Sequence, residues 1–196
     1  VSGIEFGGCC YGECANNFEV DYEKNIIKFG LSSIKGIRVN DIETINNSYA
    51  EDGRELIRFI CNKKMNKKTI EVLSRLGFFK KIIHKNYCFV ENLIFKLKES
   101  KPQDFDYDYD EYFKYANRFV DYSAGEKSKA EKEYLGFYFN EHPFSIFYEK
   151  LFQKRQHSTY VRPKDLTQLN KGIVSMIGLV SEIKMLKGKK SGKEYY

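Results

Sequence analysis

The chain has 196 residues, of which 42% are hydrophobic and 31% are charged, a composition that is typical of folded proteins and excludes extensive disorder. It has no apolar run long enough to cross a membrane and no secretory signal pattern, so we expect a cytoplasmic protein that does not contact a membrane. The net charge of +6 favours a polyanionic partner only if that charge is concentrated, and an odd number of cysteines, five, favours free thiols over disulfides.

A strand and two short helices are the first predicted elements. Strand-forming residues occupy 26–31, and Ser32 and Ser33 can cap a short helix after the glycine that breaks the strand. Apolar residues spaced three apart predict an amphipathic helix over 39–47, and a second helix is predicted over 53–61. Val39, Ile42 and Ile45 share one face of the first helix, and the side chains expected to be buried in the second are Leu56, Ile57 and Ile60.

The next helix carries the clearest start and stop signals. Asn66 has the side chain of an N-cap, and Gly77 stands where a helix ends in a left-handed residue. A longer helix is predicted after the two phenylalanines that follow Gly77. The residues of these two helices that we expect in the core are Ile70, Leu73, Leu76, Phe89, Leu93 and Leu97.

The second half of the sequence predicts less regular structure. Residues 101–113 combine a proline with alternating acidic residues, which predicts an exposed loop that leads into a short helix over 111–119. Residues 123–128 are interpreted as a linker, and a later helix is expected to stop at Pro143. The segment 172–196 is rich in β-branched residues and predicts two strands around a Lys/Gly turn.

The positive charge is concentrated in one stretch of sequence. Residues 54–85 contain ten lysines and arginines against Glu55 and Glu71, a local balance of +8 that exceeds the charge of the whole chain. Over residues 99–111 the sign reverses, because six carboxylates are opposed only by Lys101. The basic stretch therefore predicts a contact with a polyanion such as nucleic acid.

Several segments occur in the order in which they are found in one protein family. The segment IIKFGLSSIKGI at 26–37 is similar to the strand and the first helix-hairpin-helix element that follow the fingers of bacterial DNA polymerase III alpha subunits, the family C polymerases. RELIRFIC at 54–61 resembles a helix between two hairpins, and MNKKTIEVLSRLGFF at 65–79 resembles the second element. EKEYLGFYFNEHPFS at 131–145 and VSMIGLVSEIKMLKGKKSGKEYY at 174–196 resemble the approach to the oligonucleotide-binding (OB) fold and its first two strands.

The resemblance implies a mainly α fold, in which a tandem helix-hairpin-helix domain is flanked by short β-strands and followed by the beginning of an OB-type β-barrel. It implies the end of a fingers domain over 1–31, a duplex- and clamp-binding tandem hairpin domain over 32–122, a helical connector over 123–160 and a truncated OB fold over 161–196. The longer parent protein would be a DNA-directed DNA polymerase, a nucleotidyltransferase that uses Mg²⁺. Within these 196 residues no catalytic site, cofactor or metal is expected.

Helix-hairpin-helix elements hold duplex DNA without reading its sequence, because a glycine turn and the helix N-terminus after it direct N–H groups at a phosphate. Gly36 can form such a turn, but Arg38 replaces the second glycine of the family pattern, and its guanidinium can substitute as a phosphate ligand. The alternative is a pair of hairpins kept for packing, with lysines on a solvated face. The DNA-binding candidates are Lys35, Gly36, Arg38, Lys63, Lys64, Lys67, Lys68, Arg75, Lys80 and Lys81.

The family's sliding-clamp-binding peptide lies between the second hairpin and the OB fold, and it consists of a glutamine and two apolar anchors that enter a groove. One register of this peptide is Gln103 with Phe105 and Tyr107, and another ends in Tyr112 and Phe113. A plain solvated loop is the alternative interpretation of the same segment.

Two metal-based alternatives are weaker. The alternating carboxylates Asp104, Asp106, Asp108 and Asp110 would point two groups to one side of a strand, as a two-metal nuclease needs. Cys9, Cys10 and Cys14 have irregular spacing, and no further cysteine or histidine lies near them in sequence to complete a zinc site. Buried free thiols are therefore expected instead.

The sequence thus predicts a non-catalytic DNA-binding and processivity segment of a replicative polymerase. Its expected partners are duplex primer-template DNA, the sliding clamp and other replisome subunits. The alternative is a helical protein-interaction module whose basic face is incidental.

Overall fold

The computed structural model describes residues 5–140, 185–187 and 194–195, and the chain divides into two units, 1–140 and 141–196. The described part of the first unit is mainly helical, which confirms the predicted fold class. Its strands are β1 (Glu5–Phe6), β2 (Glu19–Asp21) and β3 (Ile26–Lys28). Its helices are α1 (Val39–Asn46), α2 (Gly53–Asn62), α3 (Lys67–Arg75), α4 (Lys80–Ile83), α5 (Tyr87–Leu97), α6 (Phe105–Phe113) and α7 (Ala124–Tyr134), with 3-10 turns at Leu31–Ser33, Pro102–Asp104 and Ala116–Arg118.

The three strands form a small sheet in the order β1-β3-β2. β1 runs parallel to β3 with Phe6 opposite Ile27, and β2 runs antiparallel to β3 with Val20 opposite the same residue. The chain leaves β3 through Phe29, which is fully buried, and enters the first 3-10 turn. The sheet therefore fixes the position from which the chain enters the first hairpin.

The helices α3 and α5 form the centre of the first unit. Ile70 and Leu73 of α3 and Phe89 and Leu93 of α5 are buried, as the apolar spacing predicts. Burying each such side chain contributes about 1.5–3 kcal/mol. The starts of these helices are fixed by side-chain caps, which include Asn66 accepting from the Lys68 N–H at 2.8 Å.

Gly77 ends the turn after α3 in the left-handed conformation, with φ +78°, as its position predicts. A Cβ atom at this position would lie 2.3 Å from the Cζ atom of Tyr87. Glycine is therefore required here both by the backbone conformation and by the aromatic ring packed against it.

Residues 105–113 form helix α6, so the predicted exposed loop is wrong. Phe105 and Tyr109 are four residues apart and both are buried, so one turn of helix brings them to the same apolar face. The alternation of aspartate with aromatic residues conceals this helical spacing. The helix expected over 111–119 is also corrected, because α6 ends at Phe113 and a separate 3-10 turn follows it.

Residues 123–128 begin helix α7, so the predicted linker is also wrong. The Ser123 hydroxyl oxygen accepts a hydrogen bond from the Glu126 N–H at 3.2 Å, and the Glu126 carboxylate accepts one from the Ser123 N–H at 2.8 Å. This reciprocal pair is a capping box, whose Ser-x-x-Glu pattern was present in the sequence.

In the second unit the structure describes one antiparallel pair, β4 (Leu186–Lys187) with β5 (Glu194–Tyr195). These residues flank the predicted Lys/Gly turn. The helix expected to stop at Pro143 is corrected, because α7 ends at Tyr134 and residues 135–140 are not helical. Most of the expected OB strands lie outside the described residues, and the division into four domains stays a prediction. None of the helices in the described ranges has the length and hydrophobicity needed to cross a membrane.

Candidate nucleic-acid interface

Two hairpins in the first unit have the same local geometry. Gly36 has φ +87° and lies three residues before Val39, the first residue of α1. Lys64 has φ +51° and lies three residues before Lys67, the first residue of α3. The second hairpin thus places a lysine in the left-handed conformation that glycine favours, a feature the sequence did not indicate.

Arg38 occupies the position of the second glycine in the family pattern. Its φ and ψ of −83° and +141° are ordinary extended values, so a side chain is accommodated without strain. Its guanidinium donates from Nε to Oδ2 and from Nη2 to Oδ1 of Asp41, both at 3.0 Å. The substitution therefore preserves the turn and adds a bidentate ion pair.

Asp41 joins the first hairpin to the second. Its side chain is buried, and in addition to Arg38 its carboxylate accepts a hydrogen bond from the Thr69 hydroxyl at 2.6 Å. Burial alone would raise the pKa of Asp41, but the hydrogen bonds from Arg38 and Thr69 outweigh it, so the pKa lies below its usual value. The carboxylate is ionised at neutral pH and fixes α1 against the start of α3.

The two helix N-termini differ in the hydrogen bonds available to a ligand. At α3, the Asn66 side chain caps the helix by accepting from the Lys68 N–H. At α1, Arg38 provides no side-chain cap. Within the described ranges no hydrogen-bond acceptor is assigned to the backbone N–H groups of Ile37–Asn40. The first hairpin therefore presents open donors at a positive helix end.

A lysine of α3 lies beside the first hairpin. The Gly36 turn lies over the start of α3, since a Cβ there would be 4.0 Å from Cε of Lys68. The Lys68 ammonium in turn donates to the Tyr134 hydroxyl at 3.3 Å, and the Lys35 N–H donates to the Tyr134 carbonyl at 2.9 Å. We call the region formed by the two hairpins and the first turn of α3 the hairpin surface; its candidate residues are Lys35, Gly36, Arg38, Lys63, Lys64, Lys67 and Lys68.

Lys98 is a basic residue of this region that the sequence analysis missed. It follows the last turn of α5, and its ammonium donates to the Met65 carbonyl in the second hairpin. Burial lowers the pKa of Lys98, and the positive charges of Lys67 and Arg38 lower it further. Only the tertiary packing of α5 against α3 brings Lys98 to the hairpins, so no local pattern could have revealed it.

Arg75 ends α3 at the opposite end, Lys80 and Lys81 lie beyond it, and none of the three is grouped with the hairpin surface. The guanidinium of Arg75 forms ion pairs with Glu71 at 3.2 Å and Glu91 at 3.5 Å. Lys81 pairs with Glu13 at 2.5 Å, and the Lys80 ammonium lies 5.9 Å from the centre of the Tyr87 ring. Their participation in duplex binding stays a prediction.

The acidic segment is helical, so its carboxylates do not alternate along a strand as the two-metal alternative requires. Asp106 and Asp110 point at α2, where they pair with Arg58 and Arg54. In the described part of the chain no group of three possible metal-ligating side chains is found, and all five cysteines are free.

The clamp-binding candidates have unequal exposure. Phe105 is buried beneath the guanidinium of Arg58, which lies 4.9 Å from its ring centre. Tyr112 and Phe113 are half-buried against Phe89. Gln103 is exposed, and so is Tyr107, which retains 70% of its surface.

Comparison with known proteins agrees with this geometry. Residues 3–86 match the model of a family described as the helix-hairpin-helix motif, and this range includes both hairpins. Over these residues the chain is therefore similar to proteins that contain helix-hairpin-helix motifs.

Two curated relatives specify the resemblance further. The chain is 24% identical over 205 residues to DNA polymerase III subunit alpha of Neisseria meningitidis serogroup A, strain Z2491, covering 97% of the chain and 17% of that protein. It is 28% identical over 185 residues to DNA polymerase III subunit alpha of Aquifex aeolicus, strain VF5, covering 85% of the chain and 14% of that protein. The resemblance to bacterial polymerase III alpha subunits is confirmed, and the chain spans less than a fifth of the length of either relative.

Replacing Asp41 tests the link between the hairpins. Asp41→Asn removes the charge that binds Arg38, and we expect it to lower the free energy of unfolding at pH 7 by about 1–3 kcal/mol. Because the folded-state pKa is depressed, the contribution of the carboxylate is present above its unfolded pKa, about 3.9. It is lost as the pH falls through the folded pKa, so the two proteins should converge below about pH 4.

Urea denaturation of both proteins between pH 3 and pH 7 measures this difference. Asp104→Asn, at an exposed carboxylate with no ion-pair partner among the described residues, is the matched control and should be within about 0.5 kcal/mol of wild type. A deficit in Asp41→Asn that stays constant across this pH range would show that the charge of Asp41 is not what joins the hairpins.

Proposed function

We propose that this chain is a DNA-binding segment of a replicative polymerase and that its hairpin surface binds the backbone of duplex DNA without reading sequence. The proposal assigns polymerase activity, with its Mg²⁺, to the longer protein, and gives these residues the role of holding primer-template DNA near other replisome subunits. The observation that carries the proposal is the open N-terminus of α1 behind the left-handed Gly36.

A phosphate fits the chemistry of that N-terminus. Its open N–H groups converge at the positive end of the α1 dipole, and an anion with several acceptor oxygens can satisfy more than one of them. At α3 the Asn66 side chain already caps the helix, whereas no side chain caps α1. The uncapped start of α1 is therefore the better site for an external anion.

Uncompensated charge around the hairpins supports the same partner. Among the described residues Lys35, Lys63, Lys64 and Lys67 have no carboxylate within ion-pairing distance, and all four are exposed. Each can release a bound counterion when it contacts a phosphate. None of these contacts involves a base edge, so the proposed binding is independent of sequence.

The alternative is a protein-interaction module whose basic face is incidental. The similarity to polymerase III alpha subunits favours DNA, but the two functions differ in a simple observable. Backbone binding weakens steeply as salt rises, whereas an incidental basic face gives little duplex binding at any salt concentration.

Fluorescence anisotropy with a labelled duplex tests the proposal. The logarithm of the association constant should fall linearly with that of the salt concentration, by about 0.9 for each phosphate contact. The double variant Lys35→Gln/Lys67→Gln should reduce this slope by about 1.8 and should weaken binding similarly for unrelated duplex sequences.

Lys24→Gln/Lys114→Gln provides a control with the same change in net charge, since both lysines are exposed and lie outside the hairpin surface. If both double variants lower the slope equally, binding reflects net charge and the proposed interface is wrong. A wild-type chain that binds no duplex at low salt would favour the protein-interaction module.

We also propose that residues 102–113 contact a sliding clamp, with Gln103 and Tyr107 as the accessible groups. Phe105, Tyr112 and Phe113, the other candidates, are packed against the rest of the unit, so they can enter a groove only after α6 separates from α2. The ion pairs of Arg54 and Arg58 with α6 oppose that separation. The position of the peptide in the resembled family supports the proposal.

Surface plasmon resonance with an immobilised bacterial clamp tests this contact. Gln103→Ala/Tyr107→Ala should weaken binding at least about tenfold, a loss typical of interface anchors. Arg54→Gln/Arg58→Gln should strengthen it, because α6 then separates more readily. Tyr49→Ala, at a tyrosine that is 92% exposed elsewhere, is the control. Equal binding by all four proteins would rule out a clamp contact in this segment.

A further inference from the structure

A cleft of about 1130 Å³ lies in the first unit, away from the hairpin surface. Its walls come from the loop at Gly8–Cys10, the connection between α4 and α5, the segment around Phe119, and α7 with the residues that follow it. The volume is at the upper end of that of small-molecule sites and exceeds what a single phosphate needs.

The lining of the cleft has an excess of positive charge. Lys80, Lys81, Lys85 and Lys127 contribute four ammonium groups, against the carboxylates of two residues, Asp121 and Glu131. Lys81 is paired with Glu13, which lies outside the lining, and Lys127 with Asp121.

Both carboxylates of the lining accept hydrogen bonds from backbone N–H groups. Asp121 accepts hydrogen bonds from the backbone N–H groups of Tyr87 at 2.8 Å and Cys88 at 3.2 Å. Glu131 accepts from the N–H groups of Phe139 at 2.8 Å and Asn140 at 3.2 Å. Within the described ranges Lys80 and Lys85 therefore have no carboxylate partner.

Aromatic rings lie beside these unpaired ammonium groups. The ammonium of Lys80 is 5.9 Å and that of Lys127 is 4.3 Å from the centre of the Tyr87 ring, and the ammonium of Lys85 is 5.2 Å from the centre of the Phe113 ring. Tyr87 and Phe119 both line the cleft and are half-buried. Ring contacts hold the two unpaired ammonium groups in place without neutralising them.

The combination of unpaired cations and accessible rings selects a class of ligand. A single nucleic-acid strand presents phosphates to cations and unstacked bases to aromatic rings. Duplex DNA offers the same phosphates, but its bases are closed within the stack and cannot reach the rings. An acidic polypeptide would satisfy the lysines and leave the rings without a specific partner.

We propose that this cleft binds a single nucleic-acid strand, with Lys80 and Lys85 on phosphates and the rings of Tyr87 and Phe119 against bases. The choice of nucleic acid over other polyanions rests on the proposed function. The site itself is separate from the hairpin surface, since Lys80 lies beyond the end of α3 opposite to Lys67.

Anisotropy of the full 196-residue chain with two probes tests the site. One probe is a labelled thymidine oligonucleotide of about twelve nucleotides, within the range bound by single-strand sites, and the other is a blunt duplex. Lys80→Gln/Lys85→Gln should weaken oligonucleotide binding about tenfold or more and lower its salt slope by about 1.4, while duplex affinity changes less than about twofold. Both lysines are on the surface of the cleft, so the fold should tolerate the change.

The hairpin variant Lys35→Gln/Lys67→Gln should show the opposite pattern, and Lys24→Gln/Lys114→Gln should leave both probes unchanged. Loss of duplex and oligonucleotide binding in equal measure on Lys80→Gln/Lys85→Gln, or no loss of either, would overturn the cleft as a single-strand site. Displacement of the oligonucleotide by polyglutamate at equal charge concentration would overturn it in favour of an acidic polypeptide. Oligonucleotide binding without duplex binding would refute the proposed duplex-binding function but would still support single-strand binding by the cleft.

Discussion

The buried carboxylate of Asp41 is the constraint on which the hairpin surface depends. A buried charge is costly unless several donors reach it, and here a guanidinium and a hydroxyl donate three hydrogen bonds to one group. Because these donors come from both hairpins, the charge is stable only when α1 and α3 hold one relative position. The Asn66 side chain caps the start of α3, while the N–H groups at the start of α1 stay open. The first hairpin is therefore the one that can accept an external anion.

The basic stretch of the sequence is divided by the fold into three surfaces with different chemistry. Arg54 and Arg58 face the acidic helix α6 and are neutralised by it. The lysines of the second hairpin join Lys35 and Arg38 on the hairpin surface. Lys80 faces the cleft beside Tyr87. Ion pairs between exposed side chains add little stability, so the main effect of α6 on α2 is to remove two cations from the surface that a polyanion meets.

The features that could be predicted from sequence were local ones. Caps such as Asn66, the left-handed Gly77 and the apolar spacing of α1, α2, α3 and α5 predicted helices that the structure confirms. The start of α7 was predictable too, because its capping box is a local pattern formed by Ser123 and Glu126. The order of similar segments along the chain was enough to identify the resemblance to polymerase III alpha subunits.

Other features depend on contacts between distant residues. Lys64 adopts a left-handed conformation because the turn of the second hairpin requires one, and the sequence next to it does not predict that conformation. Helix α6 forms because it buries Phe105 and Tyr109 beneath the guanidinium groups of Arg58 and Arg54, although its aspartates suggest a solvated loop. Asp41 and Lys98 acquire their roles from packing across α3. A candidate site drawn from charge density alone therefore contains the right residue types but groups Lys80 with Lys67.

The central claim is that the open N–H groups before and at the start of α1 bind a DNA phosphate. Titration of the ¹⁵N-labelled chain with duplex DNA, followed by two-dimensional NMR, observes those groups directly. The account predicts that the amide signals of Ile37–Asn40 shift most and move downfield, as expected for N–H groups that gain a charged acceptor, while those of Asn66 and Lys68 change little. Saturable duplex binding that leaves the signals of Ile37–Asn40 in place would contradict it.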